Sequence, residues 1–306
     1  MDEEKMKTRR KKHLILGLGD VMIDAYFFTP DSRHPRTDTV GRVELAAGGS
    51  AANFAVWVAR HSHASGLIGR VGDDFLGHAL VEELESEGVQ PFIVFDTECG
   101  TGRVGVIVSE DGERDMICDR RANTRLSPDD IPCEAIRKAR WLHISGYAFF
   151  EPGPAGAARR AMETALAAGV PISVDPAAYS FINAVGRGDF LRLCSGATVI
   201  LPNLDEGRAM TGLSRPLDIA KSLAEDFPVV ALKLGADGCI GLSQNEPEPI
   251  RLPPVPAEVV DTTGAGDAFG AGFVMACSRG AGLAESLARG NQLGAAAVSR
   301  VGAQSL

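Results

Sequence analysis

One rhythm limits the fold of this chain more than any other feature. Short apolar runs, each closed by Gly, Asp or Asn, alternate with helix-like patterns along most of the sequence. The runs are HLILGLG, ASGLIGRVG, PFIVF, WLHISG, PISVD, ATVILPN and VVALKLG. Among them stand SAANFAVWVARHS, DFLGHALVEELESEG with a stop at Gly88, PAGAARRAMETALAAG and LDEGRAMTG. A run that is apolar throughout suits a strand covered on both faces, and its alternation with helical patterns makes βαβ units. The fold class expected is α/β, a doubly wound and mostly parallel sheet. Two long helical patterns, 264–279 and 282–300, close the chain. Ligands of such sheets sit beyond the carboxyl ends of the strands. The polar residues that end the runs, Asp20, Asp175, Asn203 and Asp261, are therefore expected along one rim.

Two regions break the rhythm, 21–47 and about 99–121. TGRVGVIVSEDGERDMICD reads as two strands around an Asp-Gly turn. The expectation is a small β-strand lid, discontinuous in sequence, inserted into a body spanning 13–306. Residues 1–12, MDEEKMKTRRKK, are expected to be a disordered basic tail. No apolar segment has the shape of a signal peptide or the length of a membrane span, so no membrane partner is expected. With 306 residues the chain buries a core without staples. A net charge of −9 and the lack of a basic stripe through the body argue against non-specific nucleic-acid binding. Cys99, Cys118, Cys133, Cys194, Cys239 and Cys277 show neither CxxC nor metal-ligand spacing. They speak against a disulfide framework or a zinc site and for a reducing, cytoplasmic setting.

Chemistry concentrates in three stretches. In VVDTTGAGDAFGAGF, Gly264, Ala265 and Gly266 form a turn ahead of a helix. The free N–H groups of a helix's first turn, at its positive end, make an anion nest. Asp267 in that turn is placed to take a proton from a hydroxyl, while the amides of 264–267 hold charge on a transferring phosphoryl group. Two plainer readings stand beside this. Asp267 could be a helix-end acid after a plain glycine loop. Alternatively Gly264, Gly266 and Gly270 could mark a dinucleotide site, although the stretch lies far from the first βα unit. No Gly-Lys dipeptide, hence no Walker lysine, occurs. In AAGGSAANFAVWVARHS, Gly48 and Gly49 allow a ligand close to the backbone, and Asn53 offers a donor and an acceptor to vicinal hydroxyls. Here the plainer reading is a helix cap after a turn. In GLGDVMID, Asp20 and Asp24 suit sugar hydroxyls, or cap the loop.

These stretches together resemble the ribokinase-like (PfkB) family of carbohydrate kinases. GGSAANFAVWVARHSHASGLIGRVGDDFLG is similar to the family's first signature and DTTGAGDAFGAGF to its second. PNLDEGRAMTG looks like its N-x-x-E motif and LKLGADGCIG like its nucleotide-side strand and turn. The resemblance implies Asp267 as catalytic base and Gly264, Ala265 and Gly266 as anion hole. It implies Asn203 and Glu206 near Mg²⁺ and its waters, an arrangement their i, i+3 spacing on one helix face would suit. Asp24, Gly48, Gly49 and Asn53 would hold the sugar, with Asp20 beside them. Lys233, Gly235, Gly238 and Asn291 would border ATP. A monovalent cation, K⁺, is implied behind the anion hole at Asp261, Thr263, Ala297, Arg300 and Gly302. Family lids dry the site and often pair subunits, so a homodimer through the lid is expected.

The run GGSAAN departs from the GGKGAN of ribokinases, which leaves the sugar open. GDVMID is also similar to the heptose-phosphate kinases. In DMICDRRANTRL, Arg120 and Arg121 stand where a substrate could be met, Arg121 foremost. An acidic or phosphorylated sugar would use such an arginine, and a solvated lid arginine is the plainer reading. A nucleoside kinase shares the machinery. Tyr26, Phe27, Phe28, Phe149 and Phe150 could wall a base, or could pack the lid and core. A non-catalytic sugar-binding protein and a nicotinamide-dependent oxidoreductase are the more distant alternatives.

Overall fold

The structure, a computed structural model, describes residues 14–28, 37–61, 63–108, 114–299 and 302–304. The chain enters through β1 (Ile15–Leu18), crosses to a separate sheet as β2 (Met22–Phe28) and β3 (Arg42–Gly48), and returns through α1 (Ser50–Arg60). It continues through β4 (Ser65–Gly72), α2 (Phe75–Ser86) and β5 (Val89–Asp96), then crosses again as β6 (Gly102–Val108) and β7 (Arg114–Asp119). From there it stays in the body. α3 (Cys133–Lys138), β8 (Trp141–Ser145), α4 (Pro152–Ala167) and β9 (Ile172–Asp175) come first. α5 (Tyr179–Val185), α6 (Arg187–Leu193), β10 (Val199–Ile200), α7 (Leu204–Thr211) and α8 (Pro216–Asp226) follow. Last are β11 (Val229–Lys233), β12 (Cys239–Ser243), β13 (Glu246–Leu252), α9 (Ala265–Ser278) and α10 (Leu283–Ala297).

The large sheet runs β13-β12-β11-β10-β9-β8-β1-β4-β5. It is parallel from β11 to β5, and β12 and β13 add an antiparallel edge. The side chains alternate between two cores, as the strand period requires. Ile15, Trp141, Val199 and Ala231 pack with Phe54 and Trp57 of α1 and with α9 and α10. Leu16, Leu142, Ile172, Ile200 and Val230 pack against α4 and the helices up to α8. Helices thus cover both faces, which is the doubly wound arrangement. The edge hairpin β12–β13 lacks the strand–helix rhythm. Its outer strand carries Pro247 and Pro249, residues that a ladder tolerates only at an edge.

Local signals fix the ends of the helices that carry the site. Asp74 caps α2, its Oδ1 accepting from the Gly77 amide at 2.9 Å. Asn203 and Glu206 form a capping box at the start of α7, and Gly212 ends that helix in the left-handed region at φ 75°. α9 is buried on nearly all sides, so its position is set by packing against α1 and α10.

The second sheet, β3-β2-β6-β7, has four strands drawn from the two segments that break the rhythm. Asn123 ties it to the body. Its Oδ1 accepts from the Val21 amide at 2.9 Å and its Nδ2 donates to the Val21 carbonyl at 3.1 Å. The Asp-Gly turn of SEDGE lies outside the described residues, as do residues 1–13 and part of 21–47. Among the described residues, no helix is long and apolar enough to cross a membrane.

Candidate active site

The rim is real but not built as the run endings suggest. Asp20 follows β1 and Asp175 ends β9, and Asn203 follows β10. Asp261 does not end a strand: residues 253–264 form a loop between β13 and α9, and Asp261 reaches the rim from there. Its carboxylate accepts from the Thr263 amide at 2.7 Å and from the Gly302 amide at 2.8 Å, so it binds the loop to the chain's end.

Asp267 stands in the first turn of α9. Gly264, in the left-handed region at φ 76°, turns the chain into the helix and provides no capping side chain. The amides of Gly266 and Asp267 have no carbonyl four residues back within the helix, as at any helix start. Gly266 also leaves a gap: a Cβ there would sit 3.3 Å from the Lys233 ammonium. The Asp267 carboxylate accepts from Ser50 Oγ at 2.7 Å and from Asn53 Nδ2 at 2.8 Å. Burial pushes its pKa up to about 6, against the opposing pull of those two hydrogen bonds. Each oxygen keeps a lone pair for another donor.

Six further charged groups feel Asp267 or one another. Lys233 donates to Asp175 at 2.5 Å, and this buried pair lies beside the Gly266 turn. Burial pushes Asp24 up to about 7, helped by the charges of Asp267 and Asp261. Burial and then Asp175 hold Glu206 above the usual carboxylate range. Asp20 accepts two hydrogen bonds from Arg120, at 2.7 and 2.8 Å, within the buried interior. With Asp20 matched by Arg120 and Asp175 by Lys233, Asp24, Glu206 and Asp267 are left as the acids of the site without an ion-pair partner among the described residues.

Gly48 and Gly49 serve close approach. A Cβ on Gly48 would meet the Asp24 carboxyl at 2.4 Å, and one on Gly49, at φ 97°, the Asp20 carbonyl at 2.3 Å. Asn53 bridges, since it donates to Asp267 and its Oδ1 accepts from Gln304 Nε2 at 3.0 Å. Asn203 and Glu206 meet, though not as two residues of one helix face. Asn203 is the cap, and its amide and Nδ2 donate to the two Glu206 oxygens at 2.8 and 2.6 Å. Gly238 and Asn291 gather at Pro253, where Asn291 Nδ2 donates to the carbonyl at 3.0 Å. Gly235 lies in the turn after β11 with open space before it. Ala297 is buried at the end of α10, and Arg300 lies outside the described residues.

Arg121 is not brought in. It lies beside Asp119 at 3.8 Å and against Gly100, while Arg120 takes the inward position. The aromatic residues divide similarly. Phe149 packs edge-on to Phe190 in the core, Phe27 is exposed, and Tyr26 stacks on Phe28 within the second sheet. The sequence does hold one GxGxxG, from Gly100 to Gly105, but it runs into strand β6 and not onto a helix. Sequence reading missed Ser50, Arg120 as an inward group, and Tyr147. Ser50 sits within the first signature stretch, where its polarity at a helix start was the available signal. Tyr147 follows β8, with Arg120 5.9 Å above its ring, and burial and then the charges of Asp267 and Asp20 hold its phenol above the usual range.

Comparison with known proteins adds four findings. Residues 12–306 match the family described as pfkB family carbohydrate kinase. The ribokinase of Mus musculus is 31% identical over 306 residues, covering 95% of this chain and 90% of its own. The ATP-dependent ribose-1-phosphate kinase of Halopiger xanaduensis is 33% identical over 264 residues, covering 85% of this chain and 83% of its own. Among solved structures, the adenosine kinase of Sinorhizobium meliloti superposes with a TM-score of 0.86 at 25% identity, covering 96% of each chain.

Proposed function

The chain belongs to the pfkB family of carbohydrate kinases, and on that premise we propose that it transfers the γ-phosphoryl group of ATP to a hydroxymethyl oxygen of a neutral sugar. It is an ATP-dependent carbohydrate kinase; the sugar and the residue roles are the proposal. The observation that carries it is Asp267: a half-buried carboxylate at the amino end of α9, raised to about 6 and oriented by Ser50 and Asn53. A base whose pKa lies just below neutrality is ionised at working pH and still strong enough to draw a proton.

The sugar's hydroxymethyl group would sit against Asp267, with its other hydroxyls on Asp24 and Asn53. Asp267 takes the hydroxyl proton as the oxygen attacks phosphorus, and the bond to the leaving ADP oxygen breaks. The amides of the 264–267 turn and the Lys233 ammonium hold the charge on the transferring group. Glu206 fits Mg²⁺ held through water: its carboxyl is raised by burial and then by the Asp175 charge, and a cation nearby would relieve both. Among the described residues no three acidic, His or Cys groups converge to hold a metal directly. When bound, Mg²⁺ screens the phosphates. Behind the turn, Asp261 and Thr263 with Ala297 and Gly302 would border K⁺; a rate equal in K⁺ and Na⁺ would remove that part of the reading. The second sheet would close over the sugar as a lid. Val43 and Leu45 leave it an exposed apolar strip suited to a second copy, and a monomeric mass by light scattering at micromolar concentration would contradict the dimer.

Arg120 is already matched by Asp20 and Lys233 by Asp175, so neither is left over for a phosphate on the sugar, which favours a neutral substrate over a sugar phosphate. A second reading is a nucleoside, because Tyr147 meets Phe181 and Phe150 edge-on at 5.9 and 6.1 Å, an aromatic wall on which a base could lie. ADP release measured against neutral sugars, sugar acids, sugar phosphates and adenosine decides among these. The expected result is the highest kcat/KM on a neutral sugar; a sugar phosphate outpacing every neutral sugar would contradict the charge argument.

A further inference from the structure

Helices α1 and α9 start together and end together. Ser50 and Asn53 of α1 meet Asp267 of α9 at one end, and the two helices stay packed along their length. Beyond their far ends lies a cavity of about 290 Å³. His61 and His63 line it from the segment after α1, Arg279 from the end of α9, and Glu285, Arg289 and Gln292 from α10. The length of α9, 14 residues at about 1.5 Å each, puts this cavity roughly 20 Å from the Asp267 carboxylate. We propose that it binds a phosphate-class oxyanion, as the free ion or as the phosphate of a small ester.

Three basic groups from three separate elements converge here without carboxylate partners. No ion pair joins Arg279 or Arg289 to an acidic group among the described residues, although Glu285 lines the same cavity. Among the described residues, Arg289 Nη1 meets only the neutral Gln292 Oε1, at 3.2 Å. His63 Nδ1 lies 3.1 Å from the His61 carbonyl, which makes Nδ1 the donor and leaves Nε2 as the free ring position. That Nε2 is buried and has no partner among the described residues. Burial, and then the charges of Arg279 and Arg289, push the His63 pKa down, so the cavity's positive field already bears on the ring.

An anion answers the unpaired charges. It pairs with two guanidiniums suited to planar two-point contact with an oxyanion, and its charge offsets the positive field that bears on the His63 ring. Basic residues at a helix end complement its dipole, and that alone would account for Arg279. It does not account for Arg289 in the middle of α10, nor for His63 before β4. The end of α9 is in any case closed, because the amides of Arg279, Gly280 and Ala281 turn back onto the carbonyls of Ala276 and Cys277. The cavity has room for a phosphate with a short carbon chain, given about 30 Å³ for each water it would otherwise hold. On a chain of net charge −9, a cavity that gathers two guanidiniums without ion-pair partners is a selective feature.

The test is calorimetric titration of the full chain with inorganic phosphate and, in a second arm, with glycerol 3-phosphate. Wild type is compared with Arg279→Ala, Arg289→Ala and the double variant, and melting temperatures are recorded without ligand. Arg279 is exposed, so its replacement leaves the fold intact. The expected result is a saturable site in wild type, weakened at least tenfold in each single variant and absent from the double variant, with ligand-free melting temperatures unchanged. Tighter binding of glycerol 3-phosphate would assign the cavity to an ester, and equal binding to the free ion. Isotherms that superimpose for wild type and the double variant, in both arms, overturn the proposal. Any phosphate held near Asp267 would survive in the double variant and is thereby told apart.

Discussion

Replacing Ser50 by Ala removes one of the two hydrogen bonds that hold Asp267 in its charged form. The bond is short, 2.7 Å, and its acceptor is a carboxylate. Hydrogen bonds to charged groups contribute about 1.5–3 kcal/mol, and a pKa moves by one for about each 1.36 kcal/mol of difference between the two protonation states. Ser50 is only half-buried, so water replaces part of what is lost and the low end applies. The Asp267 carboxyl, near 6 in the intact site, should therefore rise by about one unit. The sign follows from the donor: Ser50 favours the ionised carboxylate, and its loss favours the protonated one. In kcat/KM measured from pH 5 to 9, the acidic limb should move up by about one unit. The variant should trail wild type by roughly fivefold at pH 6 and meet it near pH 9, where Asp267 is ionised in both. Asp24, raised to about 7, titrates nearby, but no hydrogen bond joins it to Ser50 and its limb should stay in place. A limb that does not move, or a loss equal at every pH, would refute the role given to Ser50 as the group that positions and ionises the base.

Three other outcomes follow from the same geometry. Gly49→Ala puts a Cβ 2.3 Å from the Asp20 carbonyl at φ 97°, so it should lower stability by at least about 1–3 kcal/mol in denaturant titration; an unchanged midpoint would show that the turn can relax. Arg120→Ala leaves Asp20 buried without its partner and should cost about 3–5 kcal/mol, part of which returns when Asp20→Asn is added. A double variant no more stable than the single would deny the pair. Arg121→Ala, at a side chain facing Asp119 and Gly100, should leave the KM for sugar within about twofold, and a large rise would place it in the sugar site after all.

The alternation of apolar runs with helical patterns carried the central part of the sheet, because a strand buried on both faces writes itself as an unbroken apolar run. It did not carry β12 and β13, an antiparallel hairpin at the edge, nor the short helices α3, α5 and α6, whose few turns leave too little periodicity to read. Asp267 and its glycine turn were legible because a helix end, a left-handed glycine and an acid fall within four residues. The partners of that acid were harder. Asn53 stood out as an amide among alanines, whereas Ser50 passed as part of the same stretch. Which of Arg120 and Arg121 faces inward depends on how the chain turns after β7, where Arg121 takes a positive φ of 43°. Adjacent residues of like type cannot reveal that. Asp261 was read as a strand end because VVD resembles the other run endings, while in the fold it belongs to a loop held by the amides of Thr263 and Gly302.

The most direct test is Asp267→Asn, which keeps the side chain's size and removes its ability to accept a proton. Turnover of the best neutral sugar with ATP and Mg²⁺ should fall by about 10²–10⁴-fold, while the Kd of a non-hydrolysable ATP analogue stays within about threefold. Turnover near wild type, with the analogue bound normally, would mean that another group takes the proton.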